Sequence, residues 1–165
     1  MILSYLKYFL LLVLLIFIQD QLIHLIAISP YNIAPDIVVI AVAYIGIKKG
    51  QIFGAVTGFF AGLILDILGG SFLGLAALSY SLAGFTAGYF CTEEDRFLQK
   101  YNFLIVIFLC SFVSNMVYFY IYFQGAFLSF FEIFVKYVIT TSTYTTIISS
   151  VYVIIPRRGE AKKVY

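Results

Sequence analysis

Apolar runs of about helix-spanning length, interrupted by short polar or turn-forming breaks, repeat along the whole chain. A lipid hydrocarbon layer needs about 20 predominantly apolar residues per helix, with roughly 17–25 tolerated. Dividing the chain at its breaks predicts helices over residues 5–28, 35–48, 51–68, 74–90, 101–123 and 130–155, in a single domain over residues 1–165. The hydroxyl-rich, β-branched stretch from Thr140 to Ser150 would suggest a strand in water. An open sheet edge cannot sit in hydrocarbon, so a helix is predicted there, its hydroxyls bonded back to the helix or across to a neighbour.

The breaks carry recognisable turn chemistry. Ser29-Pro30-Tyr31-Asn32 is a turn, and Pro35 opens the second helix with Asp36 at the positive end of its dipole. Lys48-Lys49-Gly50 joins the second and third helices, Gly69-Gly70-Ser71 closes the third, and Gln124-Gly125 precedes the sixth. In the first helix Lys7 and an apolar run imitate a signal peptide, but Gln19-Asp20-Gln21 replaces a small-residue cleavage motif, which predicts a retained span. Asp20 and His24 share a helix face as a polar patch. Thr92-Glu93-Glu94-Asp95 resembles a helix cap and predicts a short interfacial helix, and Tyr118, Tyr120 and Tyr122 suggest an interfacial aromatic belt.

Composition agrees with lipid as the solvent: 63% of residues are hydrophobic and 11% charged, with a mean hydropathy of +1.05. A chain this apolar has too little polar surface to cover itself in water. The net charge of +2 matters less than where the charges fall. With six spans and both termini inside, the inner segments hold Lys7, Lys48, Lys49, Arg96, Lys100, Arg157, Arg158, Lys162 and Lys163, all but Lys136 of the 10 basic residues. Cytoplasmic loops carry such an excess, so the predicted topology is N-in, C-in. No basic run with interleaved aromatics suggests nucleic acid. Cys91 and Cys110, without a CxxC or a histidine cluster, are expected to be small packing residues, and no metal or cofactor is implied.

Two features hold what candidate chemistry there is. Gly54, Gly58 and Gly62 recur every four residues on the third helix, and Gly84 and Gly88 repeat the device on the fourth after Ala77 and Ser81. Small residues at that spacing let two backbones approach, which drives helix association in lipid. Asp66 continues the same series, and a carboxylate in an apolar span invites a functional hypothesis. Its structural role would be to accept hydrogen bonds from the amides of the Gly69-Gly70-Ser71 turn. Its functional role would be to shape, with Asp36, Gly70, Ser71 and Gly74, a rim or cavity engaged by a partner. A pair of membrane carboxylates also suggests an aspartyl hydrolase such as lipoprotein signal peptidase, but neither the flanking motifs nor a four-span plan fits. No GxSxG, HExxH or P-loop is present, so the chain is not expected to be an enzyme.

The string Pro35-Asp36, an apolar run to Tyr44, a basic turn, then Gly58-Phe59, Gly62, Asp66, Gly70-Ser71 and Leu73-Gly74 resembles MreD, the rod shape-determining integral membrane protein family of bacteria. The specific match covers about a quarter of the chain, whereas length, span number and the short basic tail agree throughout. The resemblance implies a non-catalytic scaffold of the elongation complex in the cytoplasmic (inner) membrane, supporting lateral peptidoglycan synthesis. It implies binding to the bitopic protein MreC and, through it, to MreB, RodA and its transpeptidase. It also implies a fold similar to the S components of energy-coupling-factor vitamin transporters. A true S component is the alternative function, and a structural subunit of another membrane complex is a third.

Overall fold

The computed structural model describes residues 14–19, 34–70, 72–91, 100–125 and 129–154. Asp20, His24, Ser71, the predicted interfacial helix after Cys91 and the basic tail lie outside the described residues. Among those described, every regular element is a helix. Residues 14–19 form α1, followed by α2 (Ile37–Lys49), α3 (Gln51–Gly69), α4 (Leu75–Gly88) and α5 (Lys100–Tyr122). The last helix, α6, is continuous but composite: Phe130–Ile133 is α-helical, Phe134–Ile139 π-helical and Thr140–Ile154 α-helical.

Local chemistry accounts for the helix ends. Asp36 is extended, with φ −98° and ψ 91°, and its side chain accepts from the Val39 amide, so α2 begins at Ile37, not Pro35. Gly50 ends α2 and starts α3 at φ 92°, its amide donating to the Gly46 carbonyl at 2.8 Å. Gly70 caps α3 at φ 60°, and Gly74 precedes α4 at φ 97°. A Cβ at either would meet nothing within 4 Å, so the backbone conformation alone requires glycine there. Ser129 and Glu132 form a reciprocal capping box at the start of α6. The apolar pattern does not reveal the π-helical stretch.

Glycine packing builds the first half of the bundle. A Cβ on Gly54, Gly58 or Gly62 would collide with the backbone carbonyls of Gly84, Tyr80 and Ala76 respectively, so α3 and α4 lie backbone to backbone. Gly84 and Gly88 are equally crowded by Gly54 and Gln51. The close packing extends to a third helix, since a Cβ on Gly46 of α2 would lie 2.7 Å from the Gly84 carbonyl. Against this block α2 packs Val38, Val39, Val42 and Ala43, which share a core with Ala83 and Ala87 of α4 and Phe103, Val106 and Ile107 of α5. The last helix packs mainly on α5, reaches α2 at one edge and touches neither α3 nor α4 among the described residues.

The polarity of the bundle runs from an apolar outside to a partly polar inside. Ile52, Phe53, Val56, Phe60, Phe85, Ile105 and Ile147 are exposed, while Asp36, Asp66, Ser79, Ser111, Ser114, Asn115 and Thr145 are buried. Water would select the reverse. The segments Gln51–Gly69 and Tyr101–Tyr122 are each long and apolar enough to cross a membrane, and Leu75–Gly88 is apolar but shorter. Cys110 is buried as expected of a packing residue, whereas Cys91 is exposed beyond the end of α4, which corrects its expected burial.

Candidate functional site

Both predicted carboxylates are buried, and each is committed to a helix start. Asp66, on the last turns of α3, is 2% exposed. The Gly74 amide donates to its Oδ2 at 2.8 Å, the Ala76 amide to Oδ1 at 3.1 Å and Oδ2 at 3.2 Å, and the Ala77 amide to Oδ2 at 3.3 Å. These donors belong to the start of α4, beyond the Gly69-Gly70-Ser71 turn expected to bind Asp66, and Ser71 of that turn lies outside the described residues. The turn instead reverses the chain and leads the first amides of α4 onto the carboxylate. The orphan donors and positive dipole end of α4 thereby receive an anion that its own sequence, starting at glycine, lacks.

Asp36 is the centre of a second network, at the same end of the bundle. Its Oδ1 accepts from the Val39 amide at 3.0 Å and from Gln19 Nε2 at 3.2 Å. Gln19 Oε1 accepts from the Val38 amide at 2.9 Å, and the Asp36 amide donates to Thr145 Oγ1 at 3.0 Å. Four side chains on four segments, Gln19, Asp36, Tyr80 and Thr145, thus meet in the interior. Tyr80 of α4, itself buried, lies beside the Asp36 carboxylate. Sequence reasoning singled out Asp36 but not Gln19, Tyr80 or Thr145, which lie far apart in the chain. The signal available was a polar residue in each of several apolar runs.

A third polar contact ties α5 to α6, where Asn115 Nδ2 donates to Ser111 Oγ and to Ser142 Oγ, both at 3.1 Å. Glu132 and Lys136, one turn apart on α6, pair at 3.9 Å, with both side chains about half exposed.

Of the predicted rim, Asp66 and Asp36 therefore face inward, and Gly70 and Gly74 set the backbone of the α3–α4 corner. The corner's exposed surface belongs to Phe72, 69% exposed, and Leu73, 74% exposed. Beside them runs a groove of about 450 Å³ walled by Leu75 and Leu78 of α4 and by Ile121, Tyr122 and Gln124 at the end of α5. The tyrosines expected as a belt are built into this end: Tyr122 stacks on Tyr118 at 5.8 Å and meets Phe72 edge-on at 6.4 Å. Tyr120 faces Phe130 of α6 at 5.9 Å. Across Ile121 a second apolar groove, about 390 Å³, is lined by Met116, Val117, Tyr120 and Phe130. Among the described residues no group of three or more His, Cys, Asp or Glu is placed to hold a metal ion.

These features define an all-helical protein, apolar outside, with buried carboxylates used to cap helices and glycine used to join them. The chain matches the family model of the rod shape-determining protein MreD over residues 3–157 and belongs to that family. The family is one of shape-determining membrane proteins, so the chain has a role in rod shape determination. No curated protein and no solved structure matches it.

Proposed function

We propose that this protein is a non-catalytic scaffold of the bacterial elongation complex, embedded in the cytoplasmic membrane by six spans with both termini inside. In this reading it supports lateral peptidoglycan synthesis by binding an MreC-type bitopic protein, and through that partner it is linked to MreB filaments, RodA and its transpeptidase. Family membership supports the setting. The observation that carries the site is the α3–α4 corner, where exposed Phe72 and Leu73 overhang an apolar groove ending at Tyr122 and Gln124. A single transmembrane helix of a partner needs such a surface, apolar and immobile. Here Asp66 holds the corner rigid from within while Phe72 and Leu73 make the contact, and the glycine stripe holds the bundle behind it.

The test is gentle recovery of the tagged protein from its own membranes, with co-purifying proteins identified by mass spectrometry. A bitopic coiled-coil protein recovered with cell-wall synthases is the expected result. An ATPase pair with a coupling subunit would overturn the scaffold in favour of transport. The site is tested separately with Phe72→Ser and Leu73→Ser, which alter only exposed side chains. Both are expected to leave the amount of protein in the membrane unchanged and to reduce partner recovery; undiminished recovery from the double variant would remove the corner as the docking surface. A C-terminal reporter active only on the outer side would refute the topology.

A further inference from the structure

We propose that α6 is a two-register helix, with the π-helical segment Phe134–Ile139 as its switch, and that the register decides which phenylalanine walls the groove beside α5. The inward positions of α6 are Ile133, Val138, Thr141, Ser142, Thr145 and Ser149. The step of five from Ile133 to Val138 belongs to a π-turn, while the later steps of three and four are α-helical. A π-turn accommodates one extra residue, and it keeps the helix on either side in phase.

The extra residue is held by side chains. Thr140 Oγ1 donates to the Val135 carbonyl, five residues back, at 3.1 Å. Thr143 Oγ1 donates to the carbonyls of Ile139 and Thr140, both at 2.9 Å. These residues are exposed, on a surface where lipid supplies no hydrogen bonds, so the hydroxyls do there what water does elsewhere. The Thr143 bonds, three and four residues back, are those of an ordinary α-helix, and a fully α-helical register returns the Val135 carbonyl to a main-chain amide. Both registers therefore satisfy the backbone, which is the condition for a bistable element.

The two halves of α6 are anchored differently. Below the switch, Ser142 is bonded to Asn115 and Thr145 to the Asp36 amide. Above it, Phe130 stacks on Phe134 at 6.2 Å and faces Tyr120 at 5.9 Å, Phe134 meets Phe112 edge-on at 5.8 Å, and the polar contacts of Glu132, with Ser129 and Lys136, stay within α6. The extra residue leaves by the nearer end, past the Ser129 cap, so the upper half advances by one residue and turns by about 100°. Phe131 then takes the place of Phe130, Val135 that of Phe134, and Phe134 that of Ile133. The same shift carries Glu132 into the exposed place of Phe131 and Ile133 into that of Glu132, and it gives up the capping box between Ser129 and Glu132.

Cysteine cross-linking reads the register directly, in a Cys91→Ser, Cys110→Ala background. Tyr120→Cys with Phe130→Cys reports the π register, and Tyr120→Cys with Phe131→Cys reports the α register. Both pairs are expected to cross-link, the first in excess. Thr140→Val is expected to raise the ratio of the second to the first about threefold, the factor one hydrogen bond supplies in lipid. Deleting Val135 removes the extra residue and is expected to abolish the Phe131 cross-link while keeping that of Phe130. Asn115→Cys with Ser142→Cys, below the switch, is expected to cross-link equally in every background. Absence of the Phe131 cross-link from the otherwise native chain overturns the proposal, and so does its persistence in the deletion variant, which would make it proximity without a register change.

Discussion

Replacing Asp66 by alanine separates a carboxylate that builds the corner from one that meets the partner. The side chain accepts from three amides at the start of α4, of which those of Ala76 and Ala77 are buried and that of Gly74 lies at a partly open turn. Removing the acceptor leaves two buried donors without it, at about 1–2 kcal/mol each, and lets the third find another partner. The first turn of α4 also loses the anion at its positive end, for about 0.5 kcal/mol more. The expected loss is about 3 kcal/mol, or roughly a hundredfold in the folded-to-unfolded ratio, a large part of the stability of an ordinary domain. Asp66→Asn keeps one acceptor oxygen and is expected to lose about half as much. The assay is unfolding in mild detergent by a denaturing surfactant, followed by circular dichroism, alongside partner recovery normalised to folded protein. Stability of Asp66→Ala within about 0.5 kcal/mol of the native protein would refute the capping argument. If partner recovery also failed in that variant, Asp66 itself would be the contact.

Three further outcomes follow from the packing. Gly58→Leu drives a side chain into the Tyr80 carbonyl and is expected to remove most of the protein from the membrane, whereas Gly69→Ala, with open space around it, is expected to be neutral or stabilising by about 0.5–1 kcal/mol; blotting of membrane fractions compares them. Thr145→Val keeps the shape but takes the acceptor from the buried Asp36 amide, for an expected loss of about 1–2 kcal/mol by thermal melting in detergent, with Thr145→Ser restoring most of it. A maleimide is expected to label the folded protein at Cys91 and not at Cys110, so Cys91→Ser should abolish labelling until the protein is denatured.

The carboxylates acquire their meaning from elements far from them in sequence. Asp66 sits eight residues before Gly74, whose amide it binds, and its commitment to α4 depends on Gly70 and Gly74 reversing the chain between them. Asp36 reads as a helix cap from its neighbours alone, and it is one. Nothing local, however, points to Thr145, 109 positions away, as acceptor for its amide. That pairing makes Asp36 a joint of the bundle as well as a cap.

The local and the compositional features are legible in the chain alone. Runs of apolar residues mark where a helix is long enough to cross a lipid layer, Pro and Gly mark where it stops, and glycines at a spacing of four mark a face that another backbone approaches, because each signal is complete within a few turns of chain. The family string around Asp36, Asp66 and Gly74 is likewise local, and it led to the family that the match over residues 3–157 shows. Tertiary structure alone decided which helix meets the glycine face, which amides Asp66 serves, and that Gly46, Gln19, Tyr80 and Thr145 belong to the interior. The π-helical segment Phe134–Ile139 of α6 is likewise visible only in the structure. In each case the determinant is the position of a partner on another helix, and periodicity within one helix contains no information about that position.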